Sequence, residues 1–269
     1  MRIAALQFDV RRGDVPANLA RVEAGLRAAA VEGVELVALP EMWPTSFVEL
    51  EDGADWLAPT EAAVARVRAL SRELDLVVCG SAFARAPGAE RNLPLNHLTV
   101  FDGGEIALEY DKVHLFTPTG EREAFSAGGA PPATVAVRGV KVSGAVCYDL
   151  RFPQLFSAPW IDEAELLVVT AQWPAPRAAQ WRALLTGRAV EHQAFVLGAN
   201  RTGVDLAGRR RMELAFPGNS LCVGPDGLPL AEGAGKEGLV VAELDLEAAR
   251  RLRREIPVRR DRRPDCYRP

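Results

Sequence analysis

Cys147 stands where a strand-like run, Lys141 to Val146, meets the polar turn Tyr148-Asp149-Leu150-Arg151. A thiol at a strand end can project into a cleft above a sheet. Backbone N–H groups near the helix start expected at Pro153 can face a developing anion there. Free cysteines are also common in cores, so position alone leaves a structural and a nucleophilic reading open. A nucleophilic thiol needs a neighbour that favours the thiolate or takes its proton. The three histidines, His97, His114 and His192, have no motif that ties them to Cys147. Glu41 follows the short apolar run Glu35 to Leu39 as Cys147 follows its own, and Lys112 follows a third run, Ile106 to Tyr110. If these strand ends adjoin, the carboxylate can accept the thiol proton and return it to a leaving amine. The ammonium can stabilise a tetrahedral oxyanion. Taken singly, Glu41 and Lys112 read as surface charges; the set of three suits acyl transfer through a thioester.

The elements needed to bring these residues together are legible in outline. Arg2 to Phe8, Glu35 to Leu39 and Leu76 to Gly80 read as strands. Between them lie a helix from Pro16 to Ala30, ended by Gly33, and one from an N-cap at Thr60 to about Leu74. His97 to Phe101 and Glu105 to Tyr110 read as a hairpin across Asp102-Gly103-Gly104. Thr134 to Val137 and Lys141 to Val146 pair across Arg138-Gly139, after a loop-rich segment from Asp111 to Pro132. Leu166 to Thr170 and Ala194 to Ala199 read as strands either side of a helix that Pro176 opens and that runs to Gln193. Ser220 to Val223 and Leu239 to Leu244 fit strands around the turn Gly224-Pro225-Asp226-Gly227, and Leu246 to Glu255 a final helix. The pattern predicts a mixed α/β fold with antiparallel edges rather than a Rossmann sheet. No linker divides it, so 1–269 reads as a single domain, with 256–269 a packed C-terminal tail.

Composition narrows the partners. The 269 residues carry 36 acidic against 32 basic side chains, a formal charge of -4, and are 48% apolar. Mild acidity gives no reason to expect nucleic acid or a membrane. The arginines of the C-terminal region are interleaved with Glu247, Glu255, Asp261 and Asp265 and read as a solvated face. No run approaches the roughly 18 apolar residues of a membrane span, and Met1 to Val10 does not read as a signal peptide. The four cysteines are widely spaced and read as reduced thiols of a cytoplasmic protein. No zinc-like spacing, P-loop or GxGxxG is present, so the expected chemistry needs no metal and no cofactor.

With these residues in view, the chain resembles the carbon-nitrogen hydrolases of the nitrilase superfamily. The resemblance runs nearly end to end: Ala5-Leu6-Gln7, Leu39-Pro40-Glu41-Met42, Tyr110 to Phe116, Glu121 to Gly128, Cys147 to Pro153, Asn200-Arg201 and Gly218-Asn219-Ser220. It implies a four-layer α-β-β-α sandwich that pairs as a homodimer or higher homo-oligomer. It implies Glu41 as general base and acid, Lys112 as oxyanion stabiliser, Cys147 as nucleophile and the Tyr148 N–H as second oxyanion donor. Glu121 matches a further glutamate that helps position Lys112 and the reactants; Glu123 stands close enough to compete for that place.

Within the superfamily the chain looks most like bacterial omega-amidases. The cue is Cys147 to Pro153 with Gln172 to Arg177, extended by Trp181 and Arg188 to Gln193. That resemblance implies a small-molecule amide substrate, the monoamide of a short 2-oxo dicarboxylic acid such as 2-oxoglutaramate or 2-oxosuccinamate. A distal carboxylate needs cationic or N–H donors, so Arg151 is a candidate contact; it could instead pair with a carboxylate and orient the cleft. Trp173 and Phe116 are candidate walls. An N-carbamoyl amide hydrolase or aliphatic amidase would share the catalytic three with a different pocket. A scaffold on the same fold and a Cys–His hydrolase are the remaining alternatives.

Overall fold

The computed structural model describes residues 1–48, 55–86, 93–157, 163–207 and 211–266. The chain begins β1 (Arg2–Gln7), α1 (Val15–Val31), β2 (Leu36–Ala38), α2 (Leu57–Glu73), β3 (Val77–Ala84). The hairpin β4 (Leu95–Asp102) and β5 (Glu105–Asp111) follows, then a one-turn helix α3 (Glu121–Ala124). The second half starts with β6 (Thr134–Val137), β7 (Val140–Val146), α4 (Pro153–Phe156), β8 (Leu166–Ala171), α5 (Ala178–His192) and β9 (Phe195–Asn200). It ends with β10 (Thr202–Ala207), β11 (Met212–Pro217), β12 (Leu221–Val223), β13 (Pro229–Glu232), β14 (Gly238–Glu243), α6 (Leu246–Glu255) and α7 (Val258–Asp261).

Two six-stranded sheets result, in the orders β14-β1-β2-β3-β4-β5 and β13-β12-β9-β8-β7-β6. Their central strands are parallel and their edges antiparallel. Side chains alternate between faces with a period of two, and that alternation sorts the core into layers. Ile3, Ala5, Leu36 and Ala38 of one sheet pack with Val142, Val146, Val168 and Leu197 of the other. The opposite face of the first sheet, with Ala4, Leu6 and Val37, packs on Val22 and Leu26 of α1 and Val67 and Leu70 of α2. The opposite face of the second, with Ala145, Leu167 and Val169, packs on Trp181 and Leu185 of α5. The order of layers is helix, sheet, sheet, helix, as the resemblance implied.

Three readings change. Thr60 does not cap α2: it is buried inside the helix, which begins at Leu57 because the Asp55 Oδ1 accepts the Leu57 and Ala58 N–H groups at 3.0 and 3.4 Å. Ser220–Val223 does not pair with Leu239–Leu244. β12 pairs with β13, whereas β14 crosses to the other sheet and pairs with β1. The separate hairpin β10–β11 was not expected, because its strands carry polar and apolar residues without a buried face. In the tail, Gln193 Nε2 donates to the Ile256 carbonyl at 2.9 Å, while Ile256 and Val258 are exposed; residues 267–269 lie outside the described residues. No described helix is long and apolar enough to cross a membrane.

Candidate active site

The parallel strands bring their carboxyl ends to one edge of the sandwich, where α/β sheets place ligands. Glu41 lies just past β2, Cys147 directly follows β7, and Gln172 directly follows β8. Lys112 directly follows β5 on the first sheet. Met42 and Cys147 both adopt left-handed backbone, with φ of 48° and 47°. Such conformations cost a non-glycine residue on the order of 1–3 kcal/mol and persist only where packing enforces them. The chain thus leaves each strand abruptly at the residue that carries, or adjoins, a reactive group.

Lys112 is buried and forms the centre of the cluster. Its Nζ donates to Glu41 Oε1 at 2.8 Å and to Glu121 Oε1 and Oε2 at 2.9 and 2.8 Å. Its backbone N–H donates to the Asn96 carbonyl at 3.0 Å, and its carbonyl accepts the Gly128 N–H at 2.9 Å. Gly128 is required by close approach, since a Cβ there would lie 2.1 Å from the Asp111 carbonyl oxygen. Glu121, not Glu123, is the second carboxylate: Glu123 is exposed, whereas Glu121 is buried and also accepts the Phe116 N–H at 2.7 Å.

Glu41 is held from three sides. Oε1 accepts Asn96 Nδ2 at 2.9 Å beside Lys112, which fills both its lone pairs. Oε2 accepts the Gln172 N–H at 3.0 Å and keeps a second lone pair that can receive a proton. Sequence reasoning missed Asn96 and did not give Gln172 this part. Asn96 lies inside a strand with no motif around it.

Asp149 was quoted only as part of a motif, yet it ties the cluster together. Fully buried, its Oδ2 accepts the Tyr110 hydroxyl at 2.8 Å and the Val146 N–H at 3.2 Å. Its Oδ1 accepts the His114 N–H and Nδ1, each at 2.9 Å. One carboxylate therefore joins the turn after Cys147 to the segment after Lys112. His114 is occupied by Asp149 and stacked on Phe152, with ring centroids 3.7 Å apart. No histidine lines the cavity that holds Cys147, so a Cys–His dyad has no geometric support.

Burial and the surrounding charges together set the state of the thiol. Burial works against the Lys112 charge, but Glu121 and Glu41 outweigh it and hold its pKa well above the usual lysine range. Burial pushes Glu121 up, opposed by Lys112. Two carboxyl groups thus surround one ammonium. Burial raises the Cys147 thiol well above its ordinary value, Glu41 and Glu121 add to the rise, and Lys112 and the Gln172 N–H oppose it. The arrangement favours a neutral thiol beside a carboxylate that can take its proton over a standing thiolate. Cys79 and Cys222 are core thiols pushed up to about 12 by burial alone.

A cavity of about 730 Å³ holds Glu41, Glu121 and Cys147 together. All three expected substrate contacts line it. Trp173 is buried; its Nε1 donates to the Arg177 carbonyl at 2.8 Å and its N–H to Asn200 Oδ1 at 2.7 Å. Phe116 meets Tyr148 edge to face, centroids 4.9 Å apart. Among the described residues Arg151 pairs with no carboxylate: it lies over the Trp173 ring at 5.0 Å and donates to Gln180 Oε1. Arg201 is no wall residue. Its buried guanidinium binds Gln172 Oε1, Ser46 Oγ and Asp205 Oδ2 at 3.1, 3.1 and 3.0 Å, and so ties the β10–β11 hairpin to the site. Among the described residues no group of side chains could hold a metal ion.

The family profile for carbon-nitrogen hydrolase matches residues 2–254. The chain is 34% identical to 2-oxoglutaramate amidase of Bacillus subtilis, over 98% of each chain. It is 33% identical to omega-amidase YafV of Escherichia coli K12, covering 97% of this chain and 96% of that one. A carbon-nitrogen hydrolase from Helicobacter pylori G27 superposes with a TM-score of 0.90 at 26% identity, over 99% of this chain and 96% of the other.

Proposed function

Because the chain belongs to the carbon-nitrogen hydrolase family, we propose that it is an omega-amidase, acting on the terminal amide of 2-oxo dicarboxylic acid monoamides such as 2-oxoglutaramate and 2-oxosuccinamate. The observation that carries this reading is the polarity of the cavity. Its lining holds Glu41 and Glu121, both paired with the buried Lys112 ammonium, together with Cys147. Its lining also includes Arg12, Arg151, Arg177 and Arg211. A neutral amide tolerates the first environment and a distal carboxylate is drawn to the second. The similarity to a 2-oxoglutaramate amidase and an omega-amidase supports the same substrate class.

The cycle follows from the groups present. Cys147 Sγ attacks the amide carbonyl carbon while Glu41 takes the thiol proton on Oε2. The carbonyl π pair moves to oxygen, and the oxyanion is held by Lys112 Nζ and the Tyr148 N–H. Lys112 turns one N–H from its bidentate contact with Glu121 to do so. The oxyanion collapses, the C–N bond breaks, and Glu41 gives its proton to the nitrogen, which leaves as ammonia. A thioester remains. Water then attacks it, with Glu41 taking the water proton; the C–S bond breaks, the proton returns to sulfur, and the dicarboxylate is released. Two lower barriers replace one high one. Phe116 and Trp173 wall the chain of the substrate, and Arg151 adds positive charge above Trp173.

An ammonia-release screen tests the reading. It compares 2-oxoglutaramate, 2-oxosuccinamate, glutamine, uncharged aliphatic amides and N-carbamoyl compounds, with Cys147→Ala as control. The expected result is preference for the 2-oxo dicarboxylate monoamides and loss of turnover in Cys147→Ala with the fold retained. Preference for N-carbamoyl compounds, with carbon dioxide among the products, would defeat it.

Two coarser inferences accompany it. A free nucleophilic thiol suits a reducing compartment, so the enzyme works in the cytoplasm. A second copy covers the apolar side chains left exposed around α5: Val190, Leu228 beside it, and Ile256 at the helix end. Sedimentation of the purified chain as a dimer is the expected result.

A further inference from the structure

The cavity arginines are not equivalent. Arg12 is already neutralised, with its Nε 2.8 Å from Asp205 Oδ1 and Nη1 on the Phe47 carbonyl. Arg151 is fixed by Gln180 and the Trp173 ring. Arg211 is exposed in the turn just before the hairpin strand β11. Arg177 is different: it is half-buried, it lines the cavity, and no acidic side chain among the described residues pairs with it. Its guanidinium carbon lies 5.6 Å from the centroid of the Phe116 ring.

Three further features aim this group at a ligand. Its backbone is anchored, because the Arg177 carbonyl accepts Trp173 Nε1 at 2.8 Å and its N–H donates to the Pro174 carbonyl at 3.0 Å. Arg177 is also the N-cap residue of α5, a fifteen-residue helix with no acidic side chain in its first turn, so the positive end of the helix dipole adds to the local field. Phe116 links it to the turn of the nucleophile: the ring meets Tyr148, the neighbour of Cys147, edge to face, and the Arg177 guanidinium stands over the same ring. A half-buried arginine with an aromatic wall and no counter-ion is an unfilled carboxylate site, since a planar guanidinium offers paired N–H donors to a carboxylate.

We propose that Arg177 is the residue that selects anionic amides, taking the carboxylate at the far end of the substrate while the amide lies at Cys147. Arg151 then shapes the wall and adds charge without being the anchor. The inference deepens the proposed function and rests on it for the identity of the substrate, but not for the preference for a negative charge.

The test compares wild type, Arg177→Gln and Arg177→Lys in the full chain. Hydrolysis is measured on 2-oxoglutaramate and on an uncharged amide of similar length, pentanamide. Binding of the product 2-oxoglutarate is measured by calorimetry on the same variants in a Cys147→Ala background. Arg177→Gln is expected to raise KM for 2-oxoglutaramate and Kd for 2-oxoglutarate about 10- to 100-fold, with kcat changed little. Hydrolysis of pentanamide should stay within about twofold, and Arg177→Lys should recover part of the loss. An equal loss on both amides would make Arg177 structural and overturn the inference. So would an unchanged preference for the charged ligand in Arg177→Gln, or no such preference in wild type. If wild type prefers anionic ligands through Arg177 yet leaves 2-oxoglutaramate intact, the substrate reading fails and this one stands.

Discussion

Gln172 and Glu41 hold each other twice across 131 residues of sequence: the Gln172 N–H donates to Glu41 Oε2 at 3.0 Å and Gln172 Nε2 donates to the Glu41 carbonyl at 2.9 Å. The first residue follows a strand of one sheet and the second a strand of the other, so the pair stitches the two sheets where the chemistry lies. Gln172 is itself held by Arg201, whose Nη1 donates to Gln172 Oε1 at 3.1 Å. Removing the side chain frees the Glu41 backbone while leaving the carboxylate in place. Gln172→Ala is expected to lower kcat about 10- to 100-fold with little change in KM, read by steady-state ammonia release.

The thiol should behave as a neutral group. Burial raises Cys147, and Glu41 and Glu121 add to the rise. In wild type, alkylation by iodoacetamide should be slow at neutral pH and should climb only above the ordinary thiol range. In Glu41→Gln one of the charges that raise the thiol is gone, so the alkylation profile should move to lower pH. The same variant should lose amide turnover by about 100- to 10,000-fold, because no carboxylate remains to carry the proton. A profile that shifts to higher pH in Glu41→Gln would contradict the charge balance. Mass spectrometry of labelled protein across a pH series reads the shift directly.

Asp149 is expected to matter for stability before it matters for catalysis. It accepts four hydrogen bonds in a fully buried position. Asn in its place puts an NH2 group against donors. Asp149→Asn should therefore cost about 2–4 kcal/mol, a fall in Tm of roughly 4–12 °C by calorimetry. Tyr110→Phe removes one of the four and should cost about 1 kcal/mol.

His97 provides a pH signature away from the cavity thiol. Burial works against its charge, but Asp111, 2.7 Å away, and Glu109, at 3.3 Å, more than offset this and raise its pKa. A raised folded pKa stabilises the protein fully below the unfolded value of about 6.5. That contribution is lost as pH rises through the higher folded value. His97→Gln should flatten this part of the stability profile, measured as denaturant midpoints from pH 5 to 8, with the folded pKa read by NMR.

The sequence by itself determined the proposed reactive set and most of the scaffold. Apolar runs such as Leu36 to Leu39 and Leu166 to Thr170 mark buried strands because a strand covered on both faces has no polar side to show. Glu41, Lys112 and Cys147 could be read because each stands just past a strand-like run, although the one before Lys112 alternates between buried and exposed residues. What tertiary structure decided was everything that depends on long-range partners. Glu121 is distinguished from Glu123 by which carboxylate reaches Lys112, and two neighbouring glutamates look alike until the loop folds. Asn96 and Gln172 hold Glu41 from different sheets, and no local pattern encodes such a meeting. The partner of β12 also depended on where the chain crosses between sheets, since β13 and β14 both have strand-like composition. Periodicity reports burial along one segment; hydrogen-bond partners, and the net charge they impose on the thiol, exist only once distant strand ends are brought to the same edge.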